Sequence, residues 1–415
     1  GIRRLLSLGI ESDSRENAQE FEETVAHDSN SFRLRDTEAA PLPEDGIIGS
    51  YQIIGKLGTG GFGDVYQARQ HEPVEREVAL KVLKPGMDSR EIVKRFELER
   101  QTLAMMEHPN IARVIDAGET ASGNPYFVME LVRGEPVTHY CDRRHLGIRE
   151  RLAIFQQICA GVQHAHQKGI IHRDLKPSNI LVEETDGQPL PKIIDFGVSK
   201  AVTGGLDENT VYTLAGQAIG TPQYMSPEQA GIDDQGVDTR SDIYSLGVVL
   251  YELLTGETPI TPKEFQATGL MAFAELILEK TPARPSTRIG KPHASDTVTV
   301  ANERKSTKSG LQKMLRQDLD WIVMMALEKD RNRRYESASA FSDDISRFLK
   351  HQPVVASPPS RLYALKKFAR RQRVPLMAGA AVFCALILGA VVSVWQAIRA
   401  MEESERARMA ERESA

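Results

Sequence analysis

Residues 172–179, with the sequence H-R-D-L-K-P-S-N, constrain this chain more than any other segment, because they place an acid, a base and a metal ligand on one short loop. Asp174 can accept a proton from a hydroxyl group, and Lys176 can neutralise the charge on a phosphoryl group. Asn179 offers an amide oxygen of the kind that binds Mg²⁺. The meaning of this loop depends on whether matching groups lie at suitable places along the rest of the chain.

Length and composition allow one large or two ordinary domains and argue against some classes of protein. The 415 residues are 41% hydrophobic, enough for a sizeable core. Acidic residues outnumber basic ones by 57 to 52, so the chain has no overall charge footprint for nucleic-acid binding. The three cysteines lie too far apart for a disulfide framework or a zinc cluster, which fits a reducing compartment. Because the chain begins with Gly1 and stops in a charged helical pattern, we expect it to be part of a longer protein.

The hydrophobic pattern divides the chain into a polar start, a globular region and an apolar segment near the end. Residues 1–47 are rich in charged and polar side chains and are predicted to be disordered. Strand patterns on either side of a glycine-rich turn, followed by a helical pattern over 89–107, predict a small β-rich lobe at 48–132. Mainly helical patterns predict a larger lobe at 133–350, with an insertion or long loops at about 257–317. The expected fold class is α+β.

Residues 374–395 contain no charged side chain, and as a helix they are about 33 Å long against roughly 30 Å of membrane hydrocarbon. They are predicted to form a single transmembrane helix rather than a buried core helix. Six basic residues precede the segment within 351–373 and four follow it, which places residues 1–373 in the cytoplasm. We expect the basic juxtamembrane segment 351–373 to bind anionic membrane lipid, and residues 396–415 to begin a helical C-terminal segment.

Small residues recur along the predicted membrane helix at Ala385, Gly389 and Ser393. Such a ladder lets two helices approach closely, and it also occurs often by chance. A homodimer formed through this ladder is therefore one hypothesis for the oligomeric state.

A second candidate site lies at 58–65, where G-T-G-G-F-G-D-V matches the pattern G-x-G-x-x-G-x-V. Glycines let the backbone approach phosphate groups and direct amide N–H groups at them. A dinucleotide-binding turn, the competing interpretation, requires a helix directly after the glycines. A strand pattern follows here instead, and then the sequence V-A-L-K at 78–81.

Further motifs follow in order. The sequence D-F-G at 195–197 comes 16 residues after Asn179, and its carboxylate could bind Mg²⁺. Next come G-T-P-Q-Y-M-S-P-E at 220–228 and D-T-R-S-D-I-Y-S-L-G at 238–247. Together with the earlier motifs, these resemble the protein kinase superfamily over residues 51–349, with S-P-E in place of A-P-E. The phrase M-S-P-E-Q-A at 225–230 makes the chain most similar to bacterial membrane-anchored serine/threonine kinases.

The resemblance implies a two-lobed protein kinase fold followed by a single transmembrane helix. It implies transfer of the ATP γ-phosphate to serine or threonine hydroxyls of protein substrates, with Mg²⁺ as cofactor and Mn²⁺ as a substitute. Glu99 is the implied partner of Lys81, with Glu97 as a near alternative. The implied catalytic residues are Asp174, Lys176, Lys81 and Glu99; the implied nucleotide-binding residues are Gly58, Gly60, Gly63, Val65, Ala79, Lys81, Met129 and Glu130; the implied metal ligands are Asn179 and Asp195.

The resemblance also implies several structural contacts. Arg334 should form an ion pair with Glu228, and the helix that begins near 238 should steady the loop at 172–179. His172 is expected to pack under the Asp195 segment rather than to move protons. His164 and His166 point in different directions on a helix, so they are not expected to share a metal.

Regulation and rival functions remain as hypotheses. Arg173 directly before Asp174 implies control by phosphorylation of the activation loop, with Thr213 as the first candidate and Thr210 as the second. One alternative is a catalytically silent pseudokinase scaffold or receptor, although every expected catalytic group is present. Another is a small-molecule phosphotransferase, which usually lacks the Lys176 pattern and a segment like 221–228.

Overall fold

The computed structural model describes residues 46–60, 63–83, 106–196, 222–230, 236–261, 264, 275–290, 294–316, 318–358, 360, 363, 367 and 373–413. The chain divides into two compact units, residues 1–90 with 116–128, and residues 91–115 with 129–415. The predictions for 1–45, for most of the helix at 89–107, and for Glu99, Thr210 and Thr213 concern residues outside the described part of the chain.

The first unit is built on a sheet in which six strands follow the order β1-β2-β3-β4-β6-β5. The strands are β1 (Ile47–Ile48), β2 (Tyr51–Thr59), β3 (Gly63–Gln70), β4 (Arg76–Leu83), β5 (Val114–Glu119) and β6 (Pro125–Glu130). Strand β5 begins in the second unit, and strand β6 ends in it. Strands β2, β3 and β4 are antiparallel neighbours, so the glycine-rich turn joins two strands, as the sequence predicts.

Strand β4 forms the core of this sheet. Val78 and Leu80 are both fully buried, and the other residues from Ala79 to Leu83 are nearly so. On an adjacent part of the unit, the hydroxyl group of Tyr51 donates a hydrogen bond to Asp116 Oδ2 at 3.1 Å. The rings of Tyr51 and Tyr126 meet edge to face with centroids 6.3 Å apart. Burial of apolar strand residues therefore fixes the sheet that presents the glycine-rich hairpin.

The second unit is mainly helical and contains a small sheet with the strand order β7-β8-β9. Its strands are β7 (Glu135–Pro136), β8 (Ile180–Thr185) and β9 (Gln188–Ile193). Its helices are α1 (Val137–Arg143), α2 (Ile148–Gln167), α3 (Pro227–Ala230), α4 (Thr239–Thr255), α5 (Pro285–Gly290), α6 (Ala294–Glu303), α7 (Lys308–Leu315), α8 (Asp318–Ala326), α9 (Ala338–Leu349) and α10 (Arg373–Glu413).

Helix α4 is the central element of the second unit, since 14 of its 17 residues are buried. It begins after Asp238, whose carboxylate accepts a hydrogen bond from the Arg240 N–H at 2.7 Å. It ends at Gly256, which has a φ of 80°, a conformation that glycine adopts without steric cost. Helices α2 and α9 pack together through Phe155 and Phe341, whose ring centroids lie 5.3 Å apart. This contact joins α2, the long helix predicted from the sequence, to α9.

The described part of the stretch predicted as an insertion or long loops includes helices α5, α6 and α7. Arg304, directly after α6, is only 2% exposed. Its guanidinium group donates to the carbonyl oxygens of Leu253 and Leu254 at 3.2 and 2.9 Å, and to that of Val300 at 3.0 Å. Because the first two carbonyls belong to the last turn of α4, this arginine attaches the helical stretch to the core.

The juxtamembrane segment contacts the second unit through two described side chains. The hydroxyl group of Tyr363 donates to Asp318 Oδ1 at 2.9 Å, and its ring meets that of Trp321 edge to face at 5.4 Å. Lys367 pairs with the other oxygen of Asp318, and both side chains are largely buried. We name these contacts of Tyr363 and Lys367 with Asp318 the juxtamembrane clasp.

Helix α10 continues without a break over 41 residues. At 1.5 Å per residue it is about 60 Å long, roughly twice the thickness of membrane hydrocarbon. Within the described residues, one stretch, Ala381–Ser404, is apolar and long enough to cross a membrane, and none of it is buried by protein. This stretch overlaps the charge-free segment 374–395 and fits the single transmembrane helix expected from the sequence.

Candidate active site

The glycine-rich hairpin of the first unit joins β2 and β3. Gly58 pairs with Val65 across the two strands, and the Gly60 N–H donates to the Gly63 carbonyl at 2.8 Å to close the turn. A Cβ atom at Gly63 would lie 2.1 Å from the Val82 carbonyl oxygen, so only glycine fits there. At Gly58 it would meet nothing within 4 Å. Gly63 is therefore required by close packing against β4, whereas the space around Gly58 leaves its backbone accessible to a ligand.

The other nucleotide-binding residues predicted in this unit lie on the neighbouring strand. Lys81 is the cross-strand partner of Val65, and Ala79 is the partner of Gln67. Lys81 and Ala79 are both buried, with exposed fractions of 6% and 7%. The antiparallel register thus brings Gly58, Val65 and Lys81 onto three adjacent strands.

The catalytic loop, residues 172–179, brings its predicted functional groups into direct contact. Lys176 Nζ lies 2.7 Å from Asp174 Oδ2. Asn179 Nδ2 donates to the same carboxylate oxygen at 3.1 Å and to the Asp174 carbonyl at 2.8 Å. The Asp174 side chain remains 31% exposed. The loop therefore presents an oriented carboxylate that solvent or a substrate hydroxyl can reach.

A buried carboxylate of α4 holds the backbone of this loop. Asp242 is fully buried and accepts hydrogen bonds from the N–H groups of His172 and Arg173 at 2.8 and 2.9 Å. Its Oδ2 also lies 2.7 Å from His166 Nε2. Burial by itself raises the pKa of Asp242, but the hydrogen bond and charge of His166 and the field of His172 outweigh it and hold this pKa below its usual value. The predicted role of this helix in steadying the loop is confirmed.

His166 was not expected to contribute to the site, because its spacing from His164 rules out a shared metal. In the structure His166 lies near the end of α2, and its Nε2 atom contacts Asp242, the residue that holds the catalytic loop. Helical periodicity places His166 on α2, but nothing local to it indicates a partner 76 residues later in the chain. Only the joint presence of histidine at position 166 and aspartate at position 242 in related sequences would predict this contact.

The D-F-G segment reaches the catalytic loop through main-chain and ring contacts. The Ile194 N–H donates to the Asn179 carbonyl at 2.9 Å. His172 Nε2 lies 3.0 Å from the Ile194 carbonyl, and its ring meets that of Phe196 with centroids 4.7 Å apart. The prediction that His172 packs under the Asp195 segment is confirmed. Asp195 itself has a φ of 66°, a left-handed conformation that few non-glycine residues adopt.

The donor set of this unit fits a magnesium ion shared with phosphate. The amide nitrogen of Asn179 is engaged with Asp174, which directs its oxygen away from that residue. Asp195 supplies a carboxylate two positions after Ile193, the last residue of β9. Within the described residues, no three His, Cys, Asp or Glu side chains are grouped to hold a metal. Mg²⁺ suits such a sparse site, because it usually takes one or two carboxylates together with substrate phosphates and water.

Met129 and Glu130, predicted to lie beside the adenine, end strand β6. Met129 is 6% exposed, and the Glu130 N–H donates to the Arg113 carbonyl at 2.9 Å. The Glu130 carboxylate accepts from the Arg113 N–H at 3.2 Å and pairs with Lys192. The backbone of this segment is therefore fixed by its own unit.

The end of the activation segment is anchored by the predicted ion pair. Arg334 donates to both oxygens of Glu228, at 2.7 and 2.8 Å, and Ser241 Oγ lies 2.5 Å from the first of them. Arg334 is buried, and the Glu228 side chain is 10% exposed. Burial alone raises the pKa of Glu228, but Arg334 and Ser241 outweigh it and hold the pKa below its usual value. The pairing inferred from the motifs is confirmed.

Comparison with known proteins agrees with this geometry. The sequence model of the protein kinase domain matches residues 51–346. The serine/threonine-protein kinase pkn3 of Myxococcus xanthus is 34% identical over 318 residues, which are 76% of this chain and 53% of the relative. The serine/threonine-protein kinase PknB of Mycobacterium leprae is 35% identical over 308 residues, which are 73% of this chain and 43% of the relative. The chain thus spans about half the length of the curated relatives it matches.

A solved structure shares the fold. A crystal structure of the PknI kinase domain of Mycobacterium tuberculosis, a double mutant, superposes with a TM-score of 0.53 at 25% sequence identity. The superposition covers 74% of this chain and 99% of the solved chain. The predicted kinase fold, with a β-rich lobe and a helical lobe, is confirmed. The motifs, the matched domain and the shared fold together show that this chain belongs to the protein kinase family, whose members use ATP and a divalent metal ion.

Proposed function

We propose that this chain is a membrane-anchored serine/threonine protein kinase that transfers the ATP γ-phosphate to hydroxyl groups of proteins and acts as a signalling kinase regulated by autophosphorylation of its activation loop. The observation that carries the proposal is the contact of Asp174 with both Lys176 and Asn179 on a loop held by the buried Asp242. Related bacterial proteins named as serine/threonine kinases share about a third of their aligned residues with it.

The residues of the first unit would bind the phosphates of ATP. Gly58, Gly60 and Gly63 would let the backbone of the glycine-rich hairpin approach the phosphate oxygens without side-chain interference. The Gly60 N–H would keep its bond to the Gly63 carbonyl and so hold the turn that presents the other N–H groups. Lys81 would add a positive charge at the α- and β-phosphates, supported by Glu99, which lies outside the described residues. Val65 and Ala79 would contact the adenine and ribose from the same sheet. Met129 would lie beside the adenine, and the carbonyl group of Glu130, whose N–H already donates to Arg113, would accept a hydrogen bond from the adenine edge.

The residues of the second unit would carry out the transfer. Asn179 and Asp195 would hold Mg²⁺, or Mn²⁺ in its place, and the bound ion would neutralise charge that develops on the phosphates. Asp174 would orient the substrate hydroxyl and accept its proton as the hydroxyl oxygen bonds to the γ-phosphorus, while the bond from that phosphorus to the β–γ bridging oxygen breaks and ADP leaves. Lys176, already 2.7 Å from Asp174, would stabilise the negative charge of the transferring group. Lys176 also favours serine and threonine as acceptors, because it matches the catalytic-loop pattern of that class of kinase.

The test is transfer of labelled γ-phosphate from ATP and Mg²⁺ to protein by the full chain in detergent. We expect Asp174→Asn to lower kcat by about 10²- to 10⁴-fold, the usual contribution of a positioned base. Asp186→Asn is the matched control, since Asp186 is an exposed turn residue with a φ of 52° that asparagine also tolerates. Folded wild-type protein that binds ATP and transfers no phosphate would contradict the proposal and favour the pseudokinase scaffold.

Phosphorylation of the activation loop would regulate the enzyme. Arg173 Nε is buried and makes no hydrogen bond within the part of the chain that the structure describes. A phosphate would supply charge-assisted acceptors for this guanidinium group. We expect phosphopeptide mapping of active enzyme to find phosphate on Thr213 or, second, Thr210, and we expect treatment with a phosphatase to lower activity. Active enzyme without any phosphate between residues 204 and 218 would contradict this regulation.

Residues 374–395 would anchor the enzyme in a membrane as a single pass, with residues 1–373 in the cytoplasm. The uncharged segment within α10 and the basic side chains before it support this topology. The remaining basic side chains of 351–373 would bind anionic lipid, and the ladder at Ala385, Gly389 and Ser393 would permit a homodimer.

A further inference from the structure

The carbonyl group of Arg173, directly before the proposed base Asp174, is held by a side chain from the end of the activation segment. Gln229 Nε2 donates to the Arg173 carbonyl oxygen at 2.6 Å. Gln229 lies on the short helix α3, 56 residues from Arg173 in sequence. Gln229 lies in the M-S-P-E-Q-A phrase at 225–230, which by itself assigns it no role, and its contact links two segments that both carry activity in this family.

The orientation of the Gln229 amide is fixed by Ser226. Gln229 Oε1 accepts hydrogen bonds from the Ser226 N–H and the Ser226 hydroxyl, each at 3.1 Å. A flipped amide would place its NH₂ group against the Ser226 N–H and its oxygen against the Arg173 carbonyl, so both contacts would become repulsive. Ser226 is fully buried and stands where the family motif A-P-E has alanine. The serine therefore supplies a hydroxyl that orients the glutamine.

Arg173 needs this support because its backbone is in a disfavoured conformation. Its φ is 68°, in the left-handed region that L-residues rarely adopt. Asp242 accepts from its N–H at 2.9 Å, and Gln229 donates to its carbonyl. The peptide group that joins Arg173 to Asp174 is held at its other end too, since the Asp174 N–H donates to His172 Nδ1 at 3.2 Å. The position of Asp174 is thus set by hydrogen bonds on both sides of one strained residue.

We propose that Gln229, oriented by Ser226, is a positioning residue for Asp174. It locks the Arg173–Asp174 peptide and so couples the end of the activation segment to the catalytic base. This inference deepens the proposed function and rests on Asp174 acting as that base. The Gln229 amide touches no substrate atom in this role; it acts through the backbone.

The experiment compares Gln229→Glu with wild type in the full chain. The introduced carboxylate still accepts from Ser226 but cannot donate to the Arg173 carbonyl, and it sets oxygen against oxygen. We expect kcat to fall about 10- to 100-fold, as for other small misplacements of a catalytic group, while KM for ATP stays within about twofold of wild type. Gln156→Glu is the matched control, because Gln156 is also half-buried and donates its amide, to Ser346 Oγ at 2.7 Å. That control should keep the wild-type kcat.

The pH profile separates positioning from general damage. Partial burial beside a carbonyl oxygen raises the pKa of the introduced carboxyl group, and once protonated it can donate again. The ratio of kcat for Gln229→Glu to wild-type kcat should therefore rise as pH is lowered from 8 to 6. Gln229→Met, which has no donor at any pH, should lose a similar amount of kcat and show no such rise.

Three results would overturn the inference. One is a kcat within twofold of wild type in folded Gln229→Glu or Gln229→Met. The second is an equal loss in Gln156→Glu, and the third is a loss in Gln229→Glu that does not depend on pH. Should wild type transfer no phosphate, the proposed function fails on its own, and hydrogen exchange decides the inference. Faster exchange of the Asp174 amide in Gln229→Glu than in wild type and Gln156→Glu supports it, and unchanged exchange overturns it.

Discussion

Glu228 and Arg334 illustrate how a single residue pair ties stability to pH. The pair is almost sealed from water, with the Arg334 side chain fully buried. Removing one partner of a buried pair leaves the other charge without compensation and typically costs about 3 to 5 kcal/mol. The pair joins α3 to the segment that precedes α9. Its loss would therefore lower the free energy of unfolding of the second unit.

We expect Glu228→Gln to reduce the acid sensitivity of folding. Because the pKa of Glu228 is lower in the folded chain than in the unfolded chain, its stabilisation is complete above the unfolded pKa of about 4.3. It is lost as the pH falls through the folded pKa. The measurement is urea unfolding of the full chain in detergent, followed by Trp321 fluorescence, between pH 7 and pH 3.5.

Glu228→Gln should be less stable than wild type at pH 7 and should lose less further stability on acidification. Glu336→Gln removes an exposed carboxylate nearby and should follow the wild-type profile. Parallel pH profiles for wild type and Glu228→Gln would contradict the expected role of this carboxylate.

At this scale the sequence predicts residues whose roles a family pattern implies and misses the long-range hydrogen bonds that support them. The roles of Asp174, Lys176 and Asn179 are implied by the pattern of one short loop, and the structure brings their side chains into contact. His166 and Gln229 support that loop across 76 and 56 positions of sequence. Their roles depend on how the chain folds back, which neither periodicity nor local composition reports.

At the scale of elements, helix α4 shows how a buried helix end is satisfied. The last carbonyl groups of a helix have no partner within it. Here Arg304 donates to those of Leu253 and Leu254, and Arg151, which is fully buried, donates to that of Leu253 at 3.2 Å. Burial lowers the pKa of Arg304 to about 10, so it stays protonated at neutral pH. The end of α4 is therefore capped by two arginines from different elements.

We expect Arg304→Met to destabilise the second unit by about 3 kcal/mol, because it leaves buried carbonyl groups without their charged donor. Urea unfolding at pH 7, again followed by Trp321 fluorescence, measures the change. Arg316→Met removes an exposed arginine at the end of α7 and should change stability by less than about 0.5 kcal/mol. A similarly small effect for Arg304→Met would show that α6 and α7 are not needed to cap α4.

The sequence predicts the strands and the long amphipathic helices well and the stretch at 257–317 poorly. The hairpin around Gly58 and the helix over 149–168 have clear periodic patterns, and both are present. In 257–317, prolines interrupt short polar segments, so no pattern repeats often enough to indicate a helix. Helices α5 to α7 depend on tertiary contacts such as that of Arg304, which local propensity does not encode.

At the scale of the whole molecule, the proposed membrane anchoring makes a direct prediction. The full chain should remain in the membrane pellet after alkaline carbonate extraction, because the 22 uncharged residues are long enough as a helix to span the hydrocarbon. Deletion of 374–395 should release it, and replacement by an equally long leucine–alanine segment should retain it. In spheroplasts, external protease should remove a C-terminal tag and leave residues 1–373 intact. Release of the full chain by carbonate, or digestion of residues 1–373 from outside, would contradict the topology.

The juxtamembrane clasp limits how far the second unit can lie from the membrane surface. Arg373, the first residue of α10, comes six positions after Lys367, and even fully extended this stretch covers only about 20 Å. With 374–395 in the bilayer, as proposed, the backbone at Lys367 must stay within that distance of the lipid headgroups, and Asp318, which the Lys367 side chain contacts, is held near them too. A substrate in bulk solution would have to travel to the membrane to be phosphorylated. A second copy anchored beside the first would be present at an effective concentration on the order of millimolar, which favours phosphorylation of one kinase by the other.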